Sequence, residues 1–331
     1  MDGFKLFTEI TKFLDRNFLV AYLSPSVIYV VLSDAILDWL GLIPHISIPG
    51  NSILNISFDD ILLIGGIILL LAYVIGIMLS ALNRDLYRFM EGYGKYNSLK
   101  LFGWMEKRRY RRVVSEIEKL DDQYRECIDA NREFPDESRI RRNTLMRQLA
   151  EDFPDKEEYL LPTPFGNVIR SFEIYPRYMY GLDAIDGWDR LLTVIPKDYL
   201  ELTNSARAQV DFWVNLSAIF FLLQIEYIVL ASMTGFPLQW LVVLLFIANG
   251  TIAQVRATSA AREWGNFVKS AFDVYRFNLL GALGIDPPKT REEEKMIWTR
   301  YSQAIIYRLP ERLPDLKKDA KKLATRKAKS K

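Results

Sequence analysis

Cations are missing from two long stretches of this chain. No Lys or Arg occurs between Arg16 and Arg84, and none between Arg207 and Arg256, although the chain carries 43 of them. A soluble domain scatters such residues over its surface. Two cation-free blocks around a charge-rich centre therefore mark two membrane blocks around an aqueous one. Cysteine is almost absent as well. Cys127 stands alone, which excludes an intramolecular disulfide framework. His45 is the only histidine, which excludes any site that needs two imidazoles. There is no Walker loop, no Rossmann glycine pattern and no Cys pair. A Ser or Cys nucleophile would lack its usual base, because His45 falls in a segment predicted to face away from the charged centre. These absences argue against an enzyme and give no reason to expect a cofactor. A site made of carboxylates alone stays open, since acids abound in the centre.

What is present is apolar and helical. Residues 61–83 would reach roughly 34 Å as a helix, enough to cross a hydrocarbon core of about 30 Å. Gly65, Gly66 and Gly76 within that run are tolerated in lipid, where small residues let helices approach. Residues 212–231 and 237–255 make two more spans, joined by "SMTGFP" as a tight hairpin. A further span runs from Pro25 to Leu42, with Ser24 read as its cap and Pro25 as its first residue. Residues 1–17 place Leu6, Phe7, Ile10, Phe13 and Leu14 on one face, which suits a helix lying at the membrane surface. A cleaved signal peptide fits poorly, because acids occur early and no small-x-small site follows.

The basic residues set the orientation. Arg84, Arg88, Lys95, Lys100 and the run Lys107 to Arg112 follow one span, and Arg256 and Arg262 follow another. The links from Gly41 to Asp60 and from Ser232 to Pro237 hold no cation. Both termini and the centre are thus expected on the cytoplasmic side of a plasma (inner) membrane. Asn55-Ile56-Ser57 matches a glycosylation sequon, a match that is accidental in a bacterial chain. The expected fold is all-α: a polytopic membrane protein whose four transmembrane helices continue into a helical cytoplasmic domain. The segments are 1–17 interfacial, 18–83 first transmembrane hairpin, 84–209 cytoplasmic, 210–255 second hairpin, 256–309 cytoplasmic helices, and 310–331 a basic disordered tail drawn to anionic lipid headgroups. Nucleic acid is a poor partner for that tail, which lacks interleaved aromatics.

In the centre, Val113, Ile117, Leu120, Tyr124 and Cys127 alternate steps of four and three along a charged helix. Phe134-Pro135-Asp136 is expected to end it, and a second helix over 138–152 to pair with it as an antiparallel hairpin. Thr163 reads as the cap of a helix that starts at Pro164 and stops at Pro176. Another runs from Asp183 to Ile195. Helical pattern then continues unbroken from Asp198 into the third span, and out of the fourth span along Trp264, Phe267, Val268, Ala271, Phe272, Tyr275 and Leu279. Thr290 and Glu293 form a capping box for a last helix with Ile297, Tyr301 and Ile305 inside. Continuous helices are stiff rods, so cytoplasmic movement would shift the spans. The plain alternative is that the helices merely continue.

Polar groups inside the spans are costly and so informative. Asp34 and Asp38 lie one turn apart on the first span, and Gln224 and Glu226 lie near the end of the third. In an oligomer they would line a cation-attracting mouth. The plain alternative puts Asp34 and Asp38 at the interface beside Trp39 and bonds Glu226 to a neighbouring helix. Asn249 and Gln254 in the fourth span read as interhelical partners. In the centre, Arg170, Tyr175, Arg177, Tyr178, Tyr180, Trp188 and Arg190 could hold a phosphorylated ligand, with guanidinium forks for phosphate and rings for a base. The alternative is ordinary packing. "GYG" at 92–94 matches part of a potassium-filter motif, but it follows an emerging charged helix, which argues against a pore role.

Two segments, "PTPFGNVIRSFEIYPRYMYGLDAIDGWDRL" and "NFVKSAFDVYRFNLLGALGIDPPKTREEEKMIW", resemble recurrent segments of a family of uncharacterised bacterial integral membrane proteins. The resemblance implies a four-span protein of the bacterial inner membrane. It brings no reaction and transfers no functional residue. The leading expectation is a homo-oligomeric channel or membrane effector gated by a cytoplasmic signal. A non-conducting scaffold comes second and an unrecognised membrane enzyme third.

Overall fold

The computed structural model describes residues 15–42, 58–94 and 98–314. Residues 1–14 of the expected surface helix over 1–17, His45, the sequon at 55–57 and residues 315–331 of the expected tail lie outside them. Among the described residues there are long helices and no strand. Four helices are long and apolar enough to cross a membrane, so the chain is an all-α membrane protein with four spans. The described residues within 15–89 and 204–260 form one compact unit, and those within 90–203 and 261–314 another.

The first unit is built on α1 (Arg16–Trp39), most of α2 (Phe58–Met90), and the apolar parts of α7 (Lys197–Thr234) and α8 (Trp240–Ala282). Helix α1 corrects the expected start at Pro25. Asp15 caps it, its carboxylate accepting from the Asn17 amide at 3.1 Å. The chain then stays helical through Pro25 by means of a π turn at Leu19–Leu23, where the Ser24 amide donates to the Leu19 carbonyl. A proline has no amide hydrogen to give the carbonyl four residues back. That carbonyl, Ala21 O, instead accepts from Asn215 Nδ2 of α7 at 2.9 Å. A group freed in lipid must find a partner, and here an amide on the facing span supplies it.

Apolar packing does the rest. Ile36 of α1 and Leu40 just past its end meet Ile219, Leu223, Tyr227 and Ala231 of α7 and Val243 of α8. Trp39 stacks on Tyr227 with ring centroids 5.7 Å apart, and the Tyr227 hydroxyl accepts from the Gln239 amide in the α7–α8 link at 3.0 Å. Gly235 turns that link with φ of 69°. Gly76 lets α2 meet α1, with the Phe18 ring and Tyr22 backbone both 3.5 Å from where a Cβ would stand.

The second unit pairs α3 (Gly103–Asp129) with α4 (Asp136–Asp152). Arg109 with Asp152, Arg141 with Glu116 and Arg142 with Asp121 run in opposite chain directions, so the pair is antiparallel. Val113, Ile117 and Leu120 pack on Leu145 and Phe153. The expected seam fades beyond them, with Tyr124 exposed and set against Phe134. Helix α3 ends at Asp129, with Asn131 at φ of 53° just beyond, and Pro135 is the cap position of α4, so Phe134-Pro135-Asp136 opens the second helix, while Phe153-Pro154-Asp155 follows its end as expected. Helix α5 (Pro164–Tyr180) starts as expected, with Thr163 Oγ1 accepting from the Gly166 amide at 3.0 Å. It does not stop at Pro176, which is buried inside it, but at Gly181 with φ of 84°. The glycine supplies the left-handed conformation a helix end needs. "GYG" is a tight turn, with Gly92 at φ of 90° against Pro162.

Helix α6 (Ala184–Leu191) is capped by Asp183 and is shorter than expected. The extension of α8 turns Val268, Ala271, Phe272 and Leu279 inward, as its periodicity predicts. Helix α9 (Arg291–Ile306) has Thr290 as its cap. Its buried side is Glu294, Trp298, Tyr301, Ser302 and Ala304, rotated from the expected Ile297, Tyr301 and Ile305 toward the larger indole. A polar knot holds the unit's core. Asp152 accepts from Arg109 and from Arg262, both at 2.5 Å. Asn167 donates to Glu106 at 2.9 Å and exchanges both bonds with Leu161. Burial holds the Glu106 carboxyl above the ordinary range, opposed by Arg109 and Asn167.

Candidate functional site

Among the described residues the first unit holds one buried carboxylate, Asp211, and one half-buried carboxylate, Glu226, both on α7 and both bonded to α1. Asp211 is 5% exposed. Its Oδ1 accepts from Tyr87 at 2.6 Å and from Asn83 Nδ2 at 3.1 Å, both on α2. Its Oδ2 accepts from Tyr22 of α1 at 3.3 Å, and Arg207, one turn earlier on α7, comes to 4.0 Å. Asn83 and Tyr87 are four residues apart, which puts both on one face of α2. A cleft of 330 Å³ opens beside the cluster, lined among others by Asp15, Tyr22, Ser80, Arg207 and Asp211.

Glu226 lies 15 residues further along α7, roughly 22 Å at about 1.5 Å per residue. Ser33 of α1 donates to its Oε1 at 2.5 Å, while its shielded Oε2 has no hydrogen-bond partner. Between the two acids, Ile219 and Leu223 are 2% and 0% exposed. The α1–α7 interface is therefore polar toward both ends and dry in the middle.

The other expected intramembrane residues are placed differently. Asp34 and Asp38 are on the exposed side of α1, while Ser33 and Ile36 turn inward. Gln224 is half-buried beside Leu223 on α7. Asn249 is exposed and donates to the Leu245 carbonyl of its own helix at 2.8 Å, in place of the expected interhelical bond. A polar side chain that can reach back one turn satisfies itself without a neighbour.

The expected ligand group of the second unit does not converge. Tyr175 and Tyr180 come together, but on Asp273, to which they donate at 3.0 Å and 2.7 Å. Burial and those bonds raise both phenols above their ordinary range. Arg276 stacks over Tyr180 at 4.2 Å and pairs with Glu294 at 2.6 Å. Arg170 is engaged by Tyr93 and Glu173, and Arg190 by the Asp186 carbonyl. Trp188 leans on Phe272 at 5.9 Å, and Arg177 and Tyr178 are exposed. Two of the guanidiniums that would grip phosphate, Arg170 and Arg190, thus point to different protein partners, and Arg177 is exposed.

Asp211 is the residue that sequence reasoning missed. It stands one residue before the expected third span at 212–231 and is not among the intramembrane candidates. The signal lay on other helices, in Tyr22, Asn83 and Tyr87, whose hydroxyls and amide need an acceptor once buried. Comparison of the chain with models of protein families, with curated proteins and with solved structures finds no match in any of the three.

Proposed function

We propose that the chain is a channel or membrane effector that handles monovalent cations, works as a homo-oligomer, and is gated by a signal on its charged helical unit. On this reading it lies in a bacterial inner membrane with both termini and that unit in the cytoplasm, and it carries no reaction. The observation behind the proposal is the placing of Asp211 and Glu226. Buried carboxylates in a span are expensive and mark ion routes by default. Here the buried Asp211 and the half-buried Glu226, whose Oε2 is shielded, flank an apolar layer, an arrangement that suits a closed route whose barrier is hydrophobic. The open face of α2, with Leu62, Leu63, Ile67 and Leu70 around Gly66, leaves room for a second copy.

Purified protein in liposomes should leak sodium or potassium above protein-free vesicles, and Glu226→Gln should lower the leak about tenfold, since one lost charge interaction of about 1.4 kcal/mol is a factor of ten. Leak equal to protein-free vesicles, with and without cytoplasmic extract, would overturn the proposal. A non-conducting scaffold is the second reading, favoured by the completeness of the apolar layer at Ile219 and Leu223. It predicts silent vesicles and stoichiometric partners that co-purify through the helical unit.

A further inference from the structure

We infer that the Asp211 cluster binds one monovalent metal cation of the sodium class. The argument is an accounting of donors and acceptors. Asn83 Nδ2 and the Tyr22 and Tyr87 hydroxyls all donate to Asp211. One turn along α7, Asn215 Nδ2 donates to Ala21 O. The oxygens of both amides are left over: Asn83 Oδ1 and Asn215 Oδ1 are shielded and have no hydrogen-bond partner. Asn83 is 8% exposed and Asn215 0%. Turning either amide over would not help, because each nitrogen is held by an acceptor that only a donor can satisfy.

Two orphaned amide oxygens on residues next to one carboxylate, Asn83 bonded to it and Asn215 one turn from it, are the ligand types a hard cation takes. Such ions are coordinated by carboxylate, amide and backbone oxygens. Asn215 follows Asp211 by four residues, so their Cβ atoms are about 5–6 Å apart on one face of α7. Asn83 touches Asp211 directly. Left alone, each orphaned oxygen in a buried site costs free energy. A single carboxylate matches a single positive charge. Arg207 does not fill this role: at 4.0 Å, with its side chain 55% exposed, it meets the carboxylate from the solvent side and is screened there. The cleft lined by Tyr22, Arg207 and Asp211 offers a way in. The site would be the first binding step of the proposed route, yet binding needs no conduction.

The test is thermal unfolding of the full chain in detergent, followed by tryptophan fluorescence, with sodium chloride titrated against choline chloride at fixed ionic strength. A ligand that binds only the folded state raises the midpoint with concentration and in a saturable way. Sodium is expected to do so, and potassium less. Asp211→Asn, which keeps the shape and loses the charge, should abolish the sodium effect. Should that variant fail to fold, Asn83→Ala, which removes one orphaned oxygen, should raise the half-saturating sodium concentration about tenfold. No sodium effect, an equal effect from choline, or an effect unchanged in the folded variants would overturn the site and leave water as the partner of the two oxygens. Silent vesicles with sodium binding intact would sink the conduction proposal alone, and leak without sodium binding would sink the site alone.

Discussion

Asp152→Ala is expected to destabilise the helical unit by about 3 kcal/mol, the low end of the range for stripping one partner from a buried ion pair. Asp152 is 4% exposed and serves two guanidiniums at once, Arg109 through Oδ2 and Arg262 through Oδ1. Both arginine side chains are about a third exposed, 33% and 32%, so water recovers part of the loss. Arg109 also stands 3.6 Å from Glu106, and without Asp152 that pair must hold the charge alone. Asp152→Asn should cost less, because one acceptor oxygen survives. Pulse proteolysis in mild detergent reads the change. The double variant Asp152→Ala with Arg262→Ala should cost less than the two single losses added, because the groups share one interaction. Additive losses would mean that Arg262 does not depend on Asp152.

Trp298→Ala is expected to cost about 3–5 kcal/mol, the usual range for emptying a large buried aromatic site. Trp298 is 0% exposed in the core under α9, with the Tyr301 ring 5.8 Å away. Its indole nitrogen has no hydrogen-bond partner, so the ring is there for its volume. Trp298→Phe should therefore cost much less, below about 1.5 kcal/mol, since most of the volume stays and a buried donor is removed. The same proteolysis assay separates the two variants. A phenylalanine variant as unstable as the alanine one would assign the indole nitrogen a bond that this account denies it.

Where sequence reasoning succeeded, one local rule acted without competition. Residues 61–83 and 212–231 are spans because nothing else tolerates runs so apolar. Thr163 and Thr290 start helices because a hydroxyl before a helical pattern satisfies an amide that would otherwise be orphaned. Reasoning failed where a distant partner decided the outcome. Pro25 and Pro176 read as helix boundaries by the local rule for proline. Pro25 is passed because a π turn makes room and Asn215, far away in the chain, takes the freed carbonyl. Tyr175 and Tyr180 read as ligand-facing aromatics, but Asp273 on another helix claims their hydroxyls. Asp211 was hidden for the same reason: its three side-chain donors come from two other spans. Glu226 is bonded across helices through Ser33, which carries no charge to advertise it.

The proposed topology has each cation-free block cross the membrane twice, which puts Cys127 and the α7–α8 link on opposite sides. Cys127 is the chain's single cysteine and sits near the end of α3, and Gly235 turns the link. An impermeant maleimide applied to intact spheroplasts should leave Cys127 unmodified until the membrane is opened. It should label Gly235→Cys, in a Cys127→Ala background, at once. Labelling of both positions from the same side would contradict the account.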